Sequence, residues 1–298
     1  MPNQKQFSWT QFFPGKPKYT EANIPADLYG KVYLVTGANT GMGKELARLL
    51  YARRAKVYAA SRSEERGRQA IADIQKTTKS DGGELVFLQL DLADLDKTAA
   101  AARAFLARES KLHVLFNNAG VMVGPVEPPL KTAQGYELAM GVNCVATHLF
   151  TRLLTPALVA AARSEPASTV RIIWLSSFGM EQFAPDGLGV DMSNLDYHEP
   201  KWHMERYGIS KAGDWLLGVD FARRLKGEGI VSVAINPGNL RTELARDVGI
   251  VLKVVAWLIS YPIVYGVYTE LFAAFSPDCS LEKFDYTKQW GAYLHEMI

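Results

Sequence analysis

The sequence predicts an α/β fold: one doubly wound parallel sheet of about seven strands, flanked by helices. Two observations carry the prediction. Short apolar runs alternate with helical patterns from Lys31 onward, the order that a parallel sheet with crossover helices requires. The runs are also continuous rather than in-out alternating, which is how strands read when both faces are covered.

The first run, KVYLVTG at 31–37, leads into a helix over Lys44 to Arg54. KVYAASR at 56–62 is followed by a helix over Glu64 to Thr77, and LVFLQLD at 85–91 by an alanine-rich helix. HVLFNNAG at 113–120 precedes a long helix over Tyr136 to Ala162. VRIIWLSS at 170–177 and a helix through Tyr207 to Lys226 come next; VSVAINPG at 231–238 makes six strands, with a seventh expected further on. No linker, repeat or low-complexity tract divides the chain. Residues 31–298 therefore read as a single domain and residues 1–30 as an extended arm lying on it.

The 298 residues, 48% hydrophobic and 21% charged, suffice for one large core. Lys and Arg number 33 against 31 Asp and Glu, so no field points to nucleic acid or an anionic membrane. The two cysteines, Cys144 and Cys279, fit no metal-ligand spacing, and no metal is expected. A reducing, cytoplasmic setting fits both that cysteine usage and an N-terminus without an apolar stretch. Residues 248–268, VGIVLKVVAWLISYPIVYGVY, are long enough to span a bilayer. Pro262 and Gly266 divide them, which favours two helices over an apolar pocket; a patch resting on a membrane or partner surface stays open.

The first strand ends in Thr36-Gly37-Ala38-Asn39-Thr40-Gly41-Met42-Gly43 and runs straight into a helix. That context makes the glycines a dinucleotide turn. Gly37 allows the tight turn, Gly41 lets a pyrophosphate approach the backbone, and Gly43 permits close helix packing. Asn39, Thr40 and Met42 line the same turn, where free N–H groups favour an anion. At the end of the second strand, where an Asp or Glu would hold a ribose hydroxyl, stand Ser61 and Arg62. A guanidinium there can pair with a 2′-phosphate and Ser61 can add a hydrogen bond, so NADP(H) is favoured over NAD. The other reading places Arg62 in the solvated charge run that continues to Arg68, and Lys44 reads as solvent-facing. Asp91 and Leu92, ending the third strand, either flank an adenine or, for Asp91, cap the next helix.

Tyr207 and Lys211, four apart on a helix, share one face a turn apart. A fixed positive charge beside a phenol favours the phenolate, so Tyr207 can pass a proton to an alkoxide or take one from an alcohol. VRIIWLSS emerges at Ser176 and Ser177 on the carboxyl edge of the sheet, where ligands of doubly wound folds bind. Either hydroxyl could polarise a carbonyl, and Ser177 is the preferred one. Asn143 either anchors a water relaying protons to Lys211 or is a core asparagine.

At these positions the sequence closely resembles the short-chain dehydrogenase/reductase family. The resemblance rests on TGxxxGxG at 36–43, NNAG at 117–120, Asn143, the Ser176-Ser177 pair, YxxxK at 207–211 and NPGNLRT at 236–242. GANTGMGKE, YGISK and the long interval from Ser177 to Tyr207 are similar to the retinol-dehydrogenase-like branch, fungal members included. The likeness implies a seven-stranded Rossmann-type sheet, NADP(H), and a homodimer or homotetramer. It further implies that Asn143, Ser177, Tyr207 and Lys211 form a catalytic tetrad, with Asn117 supporting them. Asn118, Ala119 and Gly120 would lie against the cofactor, and Pro237, Gly238, Leu240 and Thr242 would cradle its nicotinamide end. His113 and Ala146-Thr147-His148 depart from that branch's pattern.

The leading expectation is an oxidoreductase interconverting a carbonyl and an alcohol on a mainly apolar small molecule. Segments 178–206 and 246–275 would shape its pocket. A biosynthetic enzyme that reduces an imine or steers a cyclisation is one alternative, and a non-catalytic NADP(H) sensor is the other.

Overall fold

The computed structural model describes residues 9–13, 15–240 and 260–283. Six parallel strands stand in the order β3-β2-β1-β4-β5-β6: β1 Val32–Thr36, β2 Lys56–Ser61, β3 Glu84–Gln89, β4 Val114–Asn117, β5 Arg171–Leu175 and β6 Val231–Ile235. The fold is the expected doubly wound sheet, with six strands rather than seven among the described residues. The next described element after β6 is a helix, and the chain is described only to Lys283.

The strands are apolar throughout because they feed two cores. Along β1, Val32 and Leu34 belong to one hydrophobic cluster, while Tyr33 and Val35 belong to the other. The two-residue period of a strand therefore persists, although neither face meets water. One face carries α4 (Leu95–Leu106), α5 (Thr147–Ala162) and α7 (His203–Leu225); the other carries α2 (Gly41–Ala52) and α3 (Glu64–Thr77). The short α1 (Trp9–Phe12) and α6 (Gly179–Phe183), with the later α8 (Ile263–Phe275), complete the described helices.

Three boundaries differ from expectation. Helix α2 starts at Gly41 rather than Lys44, so the glycine motif supplies its first turn. The helix expected from Tyr136 starts later, because Tyr136 and Thr132 exchange bonds in a turn: Thr132 N donates to Tyr136 O at 2.8 Å, and Tyr136 N to Thr132 Oγ1 at 3.2 Å. Its opening stretch, Met140–Ala146, is a π-helix rather than an α-helix. In the apolar segment 248–268, residues 248–259 lie outside the described residues. Pro262 stands as the N-cap of α8, but Gly266 does not break the helix. It is buried inside, where an added Cβ would come within 2.9 Å of Met42 Sδ and also strike Leu240.

Arg171 closes the far end of α8, its guanidinium donating to Ala273 O at 2.7 Å and Ser276 O at 2.9 Å. These are carbonyls that a helix terminus leaves without partners. On the same helix Glu270 is 1% exposed and neither carboxyl oxygen has a hydrogen-bond partner. Burial alone pushes its pKa up to about 8. By length and composition one helical stretch, Met140–Ala162, could cross a membrane, yet half of that stretch is buried inside the fold.

Candidate active site

In the order 3-2-1-4-5-6 the winding reverses between β1 and β4, and such a switch point opens a crevice beyond the strands' carboxyl ends. Thr36 bridges the two strands there: its hydroxyl donates to Phe116 O at 3.2 Å and accepts from Ala119 N at 2.9 Å. Asn118 Nδ2 donates to Thr36 O at 2.7 Å. Asn117, one residue earlier, ties β4 to α5 through Thr151 Oγ1 at 2.9 Å.

The three glycines of the turn have distinct surroundings. Gly37 has φ +71°, and an added Cβ would meet Ala119 Cα at 3.1 Å. At Gly43 a Cβ would lie 2.6 Å from Asn118 Nδ2 and 2.7 Å from Gly37 O. At Gly41, by contrast, nothing lies within 4 Å. Thr40 is the N-cap of α2 but its side chain makes no capping bond, which leaves the first-turn N–H groups facing open space. An open, uncapped helix start with a glycine at its mouth fits a dinucleotide pyrophosphate.

A second cluster forms where β5 ends. Ser177 Oγ accepts from Gly179 N at 3.1 Å. A Cβ on Gly179 would sit 3.4 Å from Ser177 Oγ and 3.1 Å from the Tyr207 ring, so serine and tyrosine flank one small space. Gly208 allows this: a Cβ there would come within 2.7 Å of Gly179 O and of Phe183 Cβ, so only glycine lets α6 lie so close to α7. Ser176 takes no part, because its buried hydroxyl donates to Lys211 O at 2.7 Å.

Lys211, 4% exposed, donates to Leu175 O at 2.8 Å and to Asp214 Oδ2 at 2.9 Å. Its Nζ lies 6.0 Å from the Tyr207 ring centroid. Burial is the largest influence and works against its ammonium, but the charge and hydrogen bond of Asp214, with Tyr207 and Cys144, together raise the pKa above the ordinary lysine value. Burial pushes Asp214 up to about 6 against the pull of Lys211. Asn143, in the π-helix, accepts from Val121 N at 2.8 Å and donates to Val121 O at 3.0 Å and to Ser210 Oγ at 2.9 Å. Ser210 Oγ in turn donates to Tyr207 O at 2.7 Å. Gly120 closes the group, since a Cβ there would stand 3.0 Å from Lys211 Nζ and 3.4 Å from Asn143 Oδ1.

Residues 31–250 match the family model for short chain dehydrogenase. A short-chain dehydrogenase/reductase of Phomopsis amygdali is 48% identical over 297 residues, 98% of this chain and 87% of that protein. The short-chain dehydrogenase/reductase sthC of Phaeosphaeria nodorum is 47% identical, over 97% of this chain and 91% of its own. The chain belongs to the short-chain dehydrogenase/reductase family. Among solved structures, a metagenomic short-chain oxidoreductase in complex with NADP is 29% identical with a TM-score of 0.54, over 77% of this chain and 91% of that one. The Pseudomonas aeruginosa RhlG/NADP complex shares the fold, at 22% identity and a TM-score of 0.65 over 85% of this chain and 92% of that one.

In this short-chain dehydrogenase/reductase the remaining predicted residues divide. Arg62 is exposed and makes no hydrogen bond or ion pair among the described residues, whereas Lys44 is taken by Asp73 at 2.6 Å. Ser61 is 5% exposed and its hydroxyl donates to Ser63 O at 3.3 Å. Asp91 does not cap α4; Asp94 does, accepting from Asp96 N and Lys97 N. Asp91 Oδ1 accepts instead from Ala93 N at 3.1 Å, beside buried Leu92. Met42 and Leu240 converge on Gly266, and Gly238, after Pro237, has φ +83°. Thr242, like residues 246–259 of the expected pocket segment, lies outside the described residues. Asp214, Ser210 and Gly208 went unnoticed in the sequence, although Asp214 at three residues from Lys211 is readable as a helix-face neighbour.

Proposed function

We propose that this chain is an NADP(H)-dependent oxidoreductase interconverting a carbonyl and an alcohol on a mainly apolar small molecule, with Tyr207 as the acid/base. The observation that carries the reading is the small space bounded by Ser177 Oγ and the Tyr207 ring at the position of a Gly179 Cβ. Gly37, Gly41, Gly43, Asn39 and Thr40 would hold the pyrophosphate, and Arg62, exposed and unpaired, would meet a 2′-phosphate. When bound, the nicotinamide supplies or accepts the hydride.

The chain's own residues do the rest. Tyr207 makes no hydrogen bond through its hydroxyl among the described residues, so its proton is available to a substrate oxygen. Ser177 receives a backbone N–H and keeps its own proton to donate to the same oxygen. Lys211, held by Leu175 O and Asp214, keeps a fixed positive charge on the Tyr207 side. Asn143 has its amide filled by Val121 and Ser210, so its part is to fix the backbone around Tyr207 and Gly120 rather than to present a free amide.

The test is fluorescence titration with NADPH and NADH, then NADPH oxidation against ketones, aldehydes and imines. Selective NADPH binding with turnover of a carbonyl is expected. Tyr207→Phe should lower kcat by roughly 10²- to 10⁴-fold, the usual worth of a positioned acid/base, while NADPH affinity stays within about twofold. Near-native turnover by that variant would remove Tyr207 from the role.

A further inference from the structure

Gln11 belongs to a single helical turn near the start of the chain, yet its side chain is only 1% exposed. A buried amide needs partners, and Gln11 finds them on one loop more than two hundred residues away. Its Nε2 donates to Asn239 Oδ1 at 2.9 Å, its Oε1 accepts from Asn236 Nδ2 at 3.0 Å, and its backbone carbonyl accepts from Asn239 Nδ2 at 3.3 Å. Asn236 Oδ1 accepts in addition from Gly238 N at 3.1 Å, which braces the left-handed turn at Gly238. Tyr261 completes the clamp: its N–H donates to Asn239 O at 2.8 Å and its hydroxyl to Phe12 O at 3.0 Å.

The neighbouring side chain touches the residue between Ser177 and Gly179. Phe12 meets Phe178 edge to face, with centroids 5.8 Å apart and ring planes at 90°, a favourable aromatic geometry. Phe178 stands directly between Ser177 and Gly179, the residues that bound the Tyr207 space.

We propose that residues 9–13 are a strap that completes the site. Gln11 is a positioning residue that locks loop 236–240, where the nicotinamide end rests, and Phe12 with Phe178 forms an aromatic wall selecting apolar, ring-bearing carbonyl substrates. The inference rests on the cofactor reading above. It also explains the chemistry of the contacts: polar, reciprocal bonds hold the loop, while Phe12 meets Phe178, the residue after Ser177, edge to face. Because coupling is reciprocal, whatever affinity Gln11 adds for the dinucleotide, the dinucleotide adds to docking of the strap.

Gln11→Ala, Phe12→Ala and a chain lacking residues 1–13 test this against the full-length protein. NADPH titration should show about tenfold weaker binding in Gln11→Ala, because Asn236 and Asn239 lose their partners. In Phe12→Ala the affinity should hold while the preference in kcat/KM for 2-tetralone over cyclopentanone falls about tenfold, the usual worth of one apolar pocket contact. The truncated chain should show both losses. Trypsin cleavage after Lys18 of the wild-type chain should slow by about the same factor as Gln11 contributes when NADPH is saturating. A lower Tm in Gln11→Ala with unchanged NADPH affinity and unprotected Lys18 would reduce the strap to mere packing and overturn the proposal. A wild-type chain that binds neither dinucleotide overturns the cofactor reading itself, a result distinct from any obtained with the variants.

Discussion

Glu270 should make the protein measurably less stable toward alkaline pH, and Glu270→Gln should remove that dependence. Its carboxyl is 1% exposed on α8 with both oxygens unpartnered, and burial raises its pKa from the ordinary 4.5 to about 8. Folding therefore requires this group to hold a proton that the unfolded chain has released above pH 4.5. A raised folded pKa gives stability that is complete below the unfolded value and is lost as pH climbs through the folded one. At about 1.4 kcal/mol per unit, and allowing for partial titration at both ends, stability between pH 5 and 8 falls by about 3 kcal/mol through this residue. That is a large share of a typical 5–15 kcal/mol total. Guanidinium unfolding at pH 5, 6, 7 and 8, followed through the six tryptophans, reads it directly. Glutamine, close in shape to the protonated acid, should match wild type at pH 5 and exceed it by about 3 kcal/mol at pH 8. Parallel stability curves for the two proteins across this range would refute the assignment of an unpaired buried carboxyl.

Arg62→Ala should weaken NADPH by roughly tenfold or more, the worth of one charge-assisted bond, and leave NADH within about twofold by fluorescence titration; equal weakening removes Arg62 from the phosphate corner. Gly43→Ala forces a Cβ to 2.6 Å from Asn118 Nδ2 and should cost about 1–3 kcal/mol of stability by overpacking. Gly41→Ala meets no atom within 4 Å, so it should cost only its backbone strain, about 1–2 kcal/mol, and act chiefly on dinucleotide binding. Thermal unfolding beside nucleotide titration separates the two, and the opposite ranking would reverse their roles. Asp214→Asn removes the carboxylate that most favours the Lys211 ammonium against burial, so the alkaline limb of kcat/KM should move to lower pH; an unchanged profile excludes Asp214 from tuning the lysine.

Much of the fold is legible in the sequence because burial on both faces writes itself as unbroken apolar runs, and each of the six runs holds a strand. Helix α3 occupies Glu64–Thr77 as its periodicity indicates. The π-helix around Asn143 is not legible, since a single i→i+5 turn leaves no mark on a hydrophobic period. The bond from the Ser61 hydroxyl to Ser63 O is not legible either, because a strand-end hydroxyl has several rotamers. The glycine turn divides by surroundings as its residues suggest: crowded at Gly37 and Gly43, open at Gly41. The arm is the least legible part, for residues 9–13 have no period of their own and the partners that hold Gln11 lie beyond residue 235.

The polar side chains along the carboxyl edge sort by whether the chain itself uses them. Ser176, Ser210, Asn118, Asn143 and Lys44 all have protein partners at 2.6–3.0 Å; they build the frame, and replacing them should perturb geometry before chemistry. Tyr207 and Arg62 have no such partner among the described residues, and Ser177 retains its own proton. Tyr207 and Ser177 share the space at Gly179, and Arg62 follows the end of β2. Leaving a buried polar group open costs stability, whereas Tyr207 and Ser177 are partly exposed and Arg62 exposed, and water substitutes there until a ligand arrives. Lys211 is the informative intermediate: with two of its N–H donors engaged by Leu175 O and Asp214, its ammonium is held 6.0 Å from the Tyr207 ring centroid. Its hydrogen bonds therefore serve to fix where that charge sits, and a change that keeps the charge but loosens the site should impair the tyrosine nearly as much as removing it.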